Sequence, residues 1–219
     1  MDIRGILRFL TDLKKNNNRD WFQKNKERYL DARNSFDDFL EALHKELLTF
    51  DTGLADVDPR KIAFRIYRDV RFSKDKRPYK VNMGAGFSPG GKMLQEAGYY
   101  VHLEPGGCFV AGGLYQPNPE NLAKVRQEID YAPEKLLRIL KDRKFRAALK
   151  GFDDFDRVKT APKGYAKDHP QIDLLKNKSF IVSHNFSDSE AASPAFVKTA
   201  AAACRLIKPL NDYLNEAVS

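Results

Sequence analysis

Apolar residues recur along the first part of the chain at helical spacing. Ile3, Ile6, Leu7, Leu10 and Leu13 predict an amphipathic helix, which the polar run KKNNNRD then interrupts. A longer helix is expected from Asp20, a suitable N-cap, with Trp21, Phe22, Tyr29, Phe36, Phe39, Leu40, Leu43 and Leu47 turned inward. From residue 62 the period changes to two. Phe64, Ile66, Val70 and Phe72 would share one face of a strand, and Arg65, Tyr67, Asp69 and Arg71 the other. Arg68 breaks the pattern on the apolar face, so it must reach water or meet an acceptor.

A second strand is expected where Tyr79, Val81, Met83, Ala85 and Phe87 alternate with Lys80, Asn82, Gly84 and Gly86. After an SPGGK turn, GYYVHLE and CFVAGGLY joined by PGG read as a further hairpin. NPENLAKVRQEI opens a helix, YAPEKLLRILKDRKFRAALKG reads as two short helices ending at Gly151, and FDRVKTAPKGYAKDHPQ forms no clean element. KSFIVSHNF returns a strand, and a last helix follows Ser193 with a kink at Pro209. The expected fold is α+β: N-terminal helices (1–58), a central antiparallel meander (about 60–116), and C-terminal helices packed on the sheet (117–219). These parts are expected to form a single domain.

At 219 residues, with 42% hydrophobic and 31% charged residues, the chain has the composition of a folded protein with its own core. No apolar run approaches the roughly 20 residues of a membrane span, so no membrane partner is expected. The first helix carries an acid and interspersed bases, unlike a signal peptide. Cys108 and Cys204 are the only cysteines and form no CxxC pair, which predicts a reducing, cytoplasmic setting.

The net charge of +8 is concentrated. Residues 60–80 hold 9 Lys and Arg against only Asp69 and Asp75, an excess of +7. Such a field attracts phosphates, nucleic acid or acidic surfaces. Phosphate-loop, dinucleotide-binding, nucleophile-elbow and HExxH signatures are absent, and no cofactor is evident. His44, His102, His169 and His184 lack metal-site spacing, so no metal is expected; His102, alternating with Tyr100 and Glu104, reads as an exposed strand residue.

Three functions fit the basic segment. In the first, a phosphate-bearing ligand (nucleotide, phosphorylated metabolite or nucleic-acid backbone) binds at Arg65, Arg71 and Lys80, with Arg68, Lys74 and Asn82 beside them, Asp69 orienting the arginines and Lys163 reaching in from a distant loop. In the second, the same site is an enzyme for a phosphorylated or carboxylated substrate, with Asp69 or Asp75 as base and Tyr79 as proton donor. In the third, the protein is an interaction module with a structural basic hairpin, its cationic surface meeting an acidic partner; a plainer reading has the hairpin's charges only keeping a sheet edge soluble. Oligomeric state is left open.

The stretch FRIYRDVRFSKDKRPYK resembles the signature of a widespread, mainly bacterial family built on a domain of unknown function. The resemblance extends to LKKNNNRDWFQKNKERY, YYVHLEPGGCFVAGGLYQP and APKGYAKDHP, so it spans nearly the whole chain. It implies no activity, cofactor or catalytic residue. Arg65, Arg68, Asp69, Arg71, Ser73, Lys74, Asp75, Lys76, Pro78, Tyr79 and Lys80 fit that signature, whereas Arg77 stands at a variable position.

Overall fold

A computed structural model describes residues 1–90 and 95–219. Three helices come first: α1 (Ile3–Lys15), α2 (Arg19–Lys24) and α3 (Lys26–Leu48). Asn18, not Asp20, caps α2 by accepting from the Trp21 N–H at 2.9 Å. Asn25 leaves helical geometry at φ −111°, ψ 22°, which splits the expected long helix into α2 and α3.

The strands β1 (Met83–Phe87), β2 (Gly98–Leu103), β3 (Cys108–Leu114) and β4 (Phe180–Phe186) form one antiparallel sheet in that order. Between β3 and β4 lie α4 (Pro119–Tyr131), α5 (Glu134–Lys141), α6 (Arg143–Leu149), the long irregular stretch 150–171, and α7 (Ile172–Leu175). The chain ends with α8 (Asp188–Ala191) and α9 (Phe196–Val218), which contains Pro209. The fold is therefore α+β as expected, with the KSFIVSHNF strand in place. The second half of the SPGGK turn, from residue 91, lies outside the described residues.

One sheet face carries Ala85, Phe87, Tyr99, Val101, Val110 and Val182, all buried, and α9 covers it and packs in turn on α3. Helix and sheet approach closely at Gly112, where a β-carbon would run into Ile207. Both cysteines are free and buried, and burial pushes the Cys204 thiol up to about 12. The other face is glycine-rich: Gly84 lies opposite His102, Gly86 opposite Tyr100, and His102 opposite Phe109.

The expected strand over 62–72 does not form. Ala63 bridges Ala85 and the Phe64 N–H donates to Gly84 O at 2.9 Å, then the chain leaves the sheet. The cause is local competition by side chains. Asp69 Oδ1 accepts from the Arg71 N–H at 3.2 Å, Asp75 Oδ1 accepts from the Arg77 N–H at 3.1 Å, and Ser73 Oγ accepts from the Asp75 N–H at 3.2 Å. These two-residue loops give the backbone a turn in place of a ladder. The alternation also fails at Phe72, which is 96% exposed. What remains is an open hairpin: Lys80 N–H donates to Ile66 O at 2.8 Å and Arg68 N–H to Pro78 O at 2.9 Å, with residues 69–77 as its loop.

The hairpin is pinned to the N-terminal helices. The Asn17 amide donates to Tyr79 O at 3.0 Å and its Oδ1 accepts from Tyr79 N–H at 3.1 Å, so one side chain replaces a strand partner. The Tyr79 ring stacks on Phe22 with centroids 4.0 Å apart and planes 14° from parallel. Losing partly buried bonds of this kind costs about 1–3 kcal/mol. Asn17→Ala is therefore expected to lower stability by roughly that amount in urea unfolding, whereas Asn16→Ala, whose amide bonds an exposed helix end, changes it by under about 0.5 kcal/mol. Equal effects of the two would contradict the pinning role.

Candidate functional site

The cations of residues 65–80 fall into two sets. Three are engaged by carboxylates of the loop itself. Asp69 takes Arg71 through Nε (3.0 Å) and Nη2 (2.6 Å), and Asp75 takes Arg77 through Nε (3.0 Å) and Nη2 (2.7 Å). Asp75 also accepts from Arg68 Nη1 at 2.7 Å, and the same nitrogen donates to Arg77 O at 3.1 Å. Arg68, half-buried, thus meets an acceptor, one of the two outcomes that its place in the pattern allowed. Lys76 donates to Val70 O at 3.1 Å. Arg71 holds Asp69 below the usual carboxylate range, and Arg77, with Arg68 behind it, holds Asp75 further below. Carboxylates held so firmly ionised are weak bases, so their geometry is that of arginine anchors.

Arg65, Lys74 and Lys80 form no ion pair among the described residues. Lys74 is exposed on the loop. Lys80 does not come beside Arg71 or Asp69, as continuous strand pairing would require. Its backbone pairs with Ile66, and its Nζ sits 5.6 Å from the centre of the Phe64 ring. Burial, and then the charge of Arg65, pull the Lys80 ammonium below its ordinary value. Two cations thus sit near one another, one of them partly desolvated, and Arg65 also lends its charge to keeping Asp69 ionised. Lys163 lies in the irregular stretch that docks on α4 through His169 and Asp130, and no contact among the described residues ties it to the hairpin. Tyr79 is buried against Phe22, away from a role at the surface.

Next to Arg65 and Lys80 the outer sheet face carries a polar chain that alternation brings together. Asn82 Nδ2 donates to His102 Nδ1 at 3.1 Å, and the Tyr100 hydroxyl reaches the same nitrogen at 2.9 Å. His102 Nε2 lies 3.2 Å from Glu104 Oε2, and the other Glu104 oxygen lies 3.8 Å from Lys14 Nζ at the end of α1. The Asn82 NH2 can only donate, which makes Nδ1 the acceptor, so the ring carries its proton on Nε2 and gives it to Glu104. Phe109 stacks on the imidazole at 4.6 Å, and Phe64 packs against Tyr100 at 6.1 Å. Gly84 makes room for this arrangement, since a β-carbon there would overlap the Tyr100 hydroxyl. Burial, with Glu104 second, pushes the Tyr100 phenol up to about 12.

His102 is therefore not a plain exposed strand residue; its side chain is 14% exposed and bonded at both nitrogens. The alternation of Tyr100, His102 and Glu104 in GYYVHLE carried that information. What it lacked was the hydrogen-bond partner, Asn82, which immediately precedes β1. No group of three His, Cys, Asp or Glu among the described residues is placed to hold a metal ion, and no helix of these residues is long and apolar enough to cross a membrane.

Burial sets a pH dependence. It lowers the His102 pKa below 6.5, with Glu104 opposing more weakly. On acidification the unfolded chain takes up this proton first, so stability falls as pH drops below about 6.5. His102→Gln is expected to flatten that part of the pH profile of thermal unfolding between pH 7.5 and 5. A profile with the wild-type slope would exclude a neutral, buried His102.

A family model described as conserved hypothetical protein (DUF2461) matches residues 5–213, and the chain belongs to that family. No curated protein and no solved structure matches it.

Proposed function

We propose that this member of the family binds a phosphate-bearing ligand beside β1, with Arg65 and Lys80 meeting the anion and Asn82 adding a neutral donor. The observation that carries this reading is the Arg65–Lys80 couple: Lys80 is partly desolvated over the Phe64 ring and sits close enough to Arg65 to feel its charge, and neither side chain forms an ion pair among the described residues, although Arg65 also lends charge to Asp69. A phosphate between them would relieve the repulsion and restore the solvation that Lys80 has lost. Arg68, Arg71 and Arg77 serve first to hold the loop, through Asp75 and Asp69. Lys74 adds charge at longer range.

A second reading, an acid–base enzyme acting on the same ligand, is favoured by the Glu104–His102–Tyr100 chain. Here His102 Nδ1 is the base, Glu104 fixes its tautomer, and Tyr100 passes the proton. This chain suits the role better than Asp69, Asp75 or Tyr79, for the reasons of pKa and packing given above. A panel of nitrophenyl phosphomonoesters and phosphodiesters tests it: absence of any turnover that His102→Gln abolishes removes the reading.

Binding is tested by thermal shift with pyrophosphate and nucleoside triphosphates at low salt. A ligand present at 100 times its Kd stabilises the fold by about 2.7 kcal/mol. The shift is expected to vanish in Arg65→Ala/Lys80→Ala and to persist largely intact in Arg71→Ala. The reverse pattern, or no shift for any phosphate compound, contradicts the assignment.

A further inference from the structure

The hairpin also exposes aromatic surface. Phe64, Tyr67 and Phe72 are 39%, 53% and 96% exposed, and they alternate along nine residues with Arg65, Arg68 and Arg71. Two of these rings stand on firm supports. Tyr67 packs on Tyr79 at 5.5 Å, and Phe64 packs on Tyr100 at 6.1 Å. Phe72 stands at the loop, with the Arg71 guanidinium 5.9 Å from its ring centre.

The paired arginines keep free donors as well. Arg71 and Arg77 each use Nε and Nη2 on their aspartates, which leaves Nη1 pointing away from the carboxylate in a fixed fork. Rings interleaved with unpaired or half-used cations match what single-stranded nucleic acid requires. Every base offers a π-face to stack, and every linkage offers a phosphate. A duplex keeps its base faces covered and cannot use the rings in this way.

An anionic bilayer fits less well. Its hydrocarbon boundary asks for apolar side chains gathered on one side, whereas these three rings are separated by charges, and Asp69 and Asp75 lie within the same loop.

We propose that the outer surface of the hairpin is a binding platform for single-stranded nucleic acid. Phe64, Tyr67 and Phe72 stack bases, Arg65 and Lys80 hold one phosphate, and Arg71 and Lys74 hold phosphates further along the strand. This inference rests on the anion site assigned above and extends it from a single phosphate to a polymer.

The test is fluorescence anisotropy of the full chain with labelled single-stranded DNA and RNA of about 12 nucleotides, within the about 4–16 that single-strand binding folds cover. A matched duplex and phosphatidylserine vesicles are run in parallel. The single strand is expected to bind more tightly than the duplex, with log affinity falling by about 0.7 per neutralised phosphate per tenfold salt. Phe72→Ala, at a residue too exposed to matter for folding, is expected to weaken oligonucleotide binding roughly 5- to 150-fold, the loss of one stacked base, with Phe72→Trp restoring it. The same variant leaves the pyrophosphate thermal shift unchanged.

Wild-type oligonucleotide affinity in Phe72→Ala, a preference for duplex, or vesicle binding without oligonucleotide binding overturns the platform. If pyrophosphate shifts the unfolding midpoint and no oligonucleotide binds, the anion site stands and the platform falls. If neither binds, the anion site falls too.

Discussion

The paired hydrogen bonds between the Asn17 amide and the backbone of Tyr79 decide where the hairpin lies. An open hairpin with two cross-chain hydrogen bonds has little stability of its own. The amide supplies the missing strand-like partner, and the Phe22–Tyr79 stack adds buried area from the helical side. Lys80 follows Tyr79 directly, and Asn82 lies two residues on, so the contact that seats Tyr79 also fixes where these two side chains begin. The polar NNN run and the PYK end of the basic segment, 62 residues apart, are thus two halves of one contact.

The loop beyond that anchor is governed by its two acids. Asp69 and Asp75 each close a small side-chain ring with the residue two positions on and clasp that residue's guanidinium. They break the strand and engage three arginines. The formal excess of the segment therefore overstates its free charge, and what is left over lies on Arg65, Lys74, Lys76 and Lys80, of which Lys80 is the partly desolvated one. A cation that has lost water without gaining a carboxylate is raised in free energy, and an incoming anion recovers that cost. The Tyr100–His102–Glu104 chain beside it gives the same patch hydrogen-bonding groups held in fixed orientation by Asn82 and Phe109.

Periodicity made the longer helices and three of the four sheet strands legible, the first of them only from Met83, because burial of one face imposes a period on the sequence; β4 was legible as a short apolar run, and the one-turn helices α7 and α8 are too short to carry a period. The 62–72 segment carried a two-residue period as well, yet Asp69, Ser73 and Asp75 offered the backbone a competing set of bonds that alternation does not weigh. The same competition gave Arg68, expected to reach water or an acceptor, the Asp75 carboxylate, and gave Arg71 a partner that made it unlike Arg65. Lys163 carried only its charge and a glycine-containing loop, and neither specifies a position in space. Asn82 and His102 met through strand register, which turns and pleat determine and which no single stretch of sequence displays. The family match adds that the chain is one of a set, and leaves the chemistry to the geometry.

The division of the basic segment into engaged and free cations is tested most directly by NMR titration with pyrophosphate, following side-chain signals of Lys80, Asn82 and His102 against the Nε signals of Arg71 and Arg77. The division predicts saturable shifts at Lys80, Asn82 and His102, with Arg71 and Arg77 nearly unmoved. Shifts centred on Arg71, Lys74 and Arg77, with Lys80 and Asn82 silent, would contradict it.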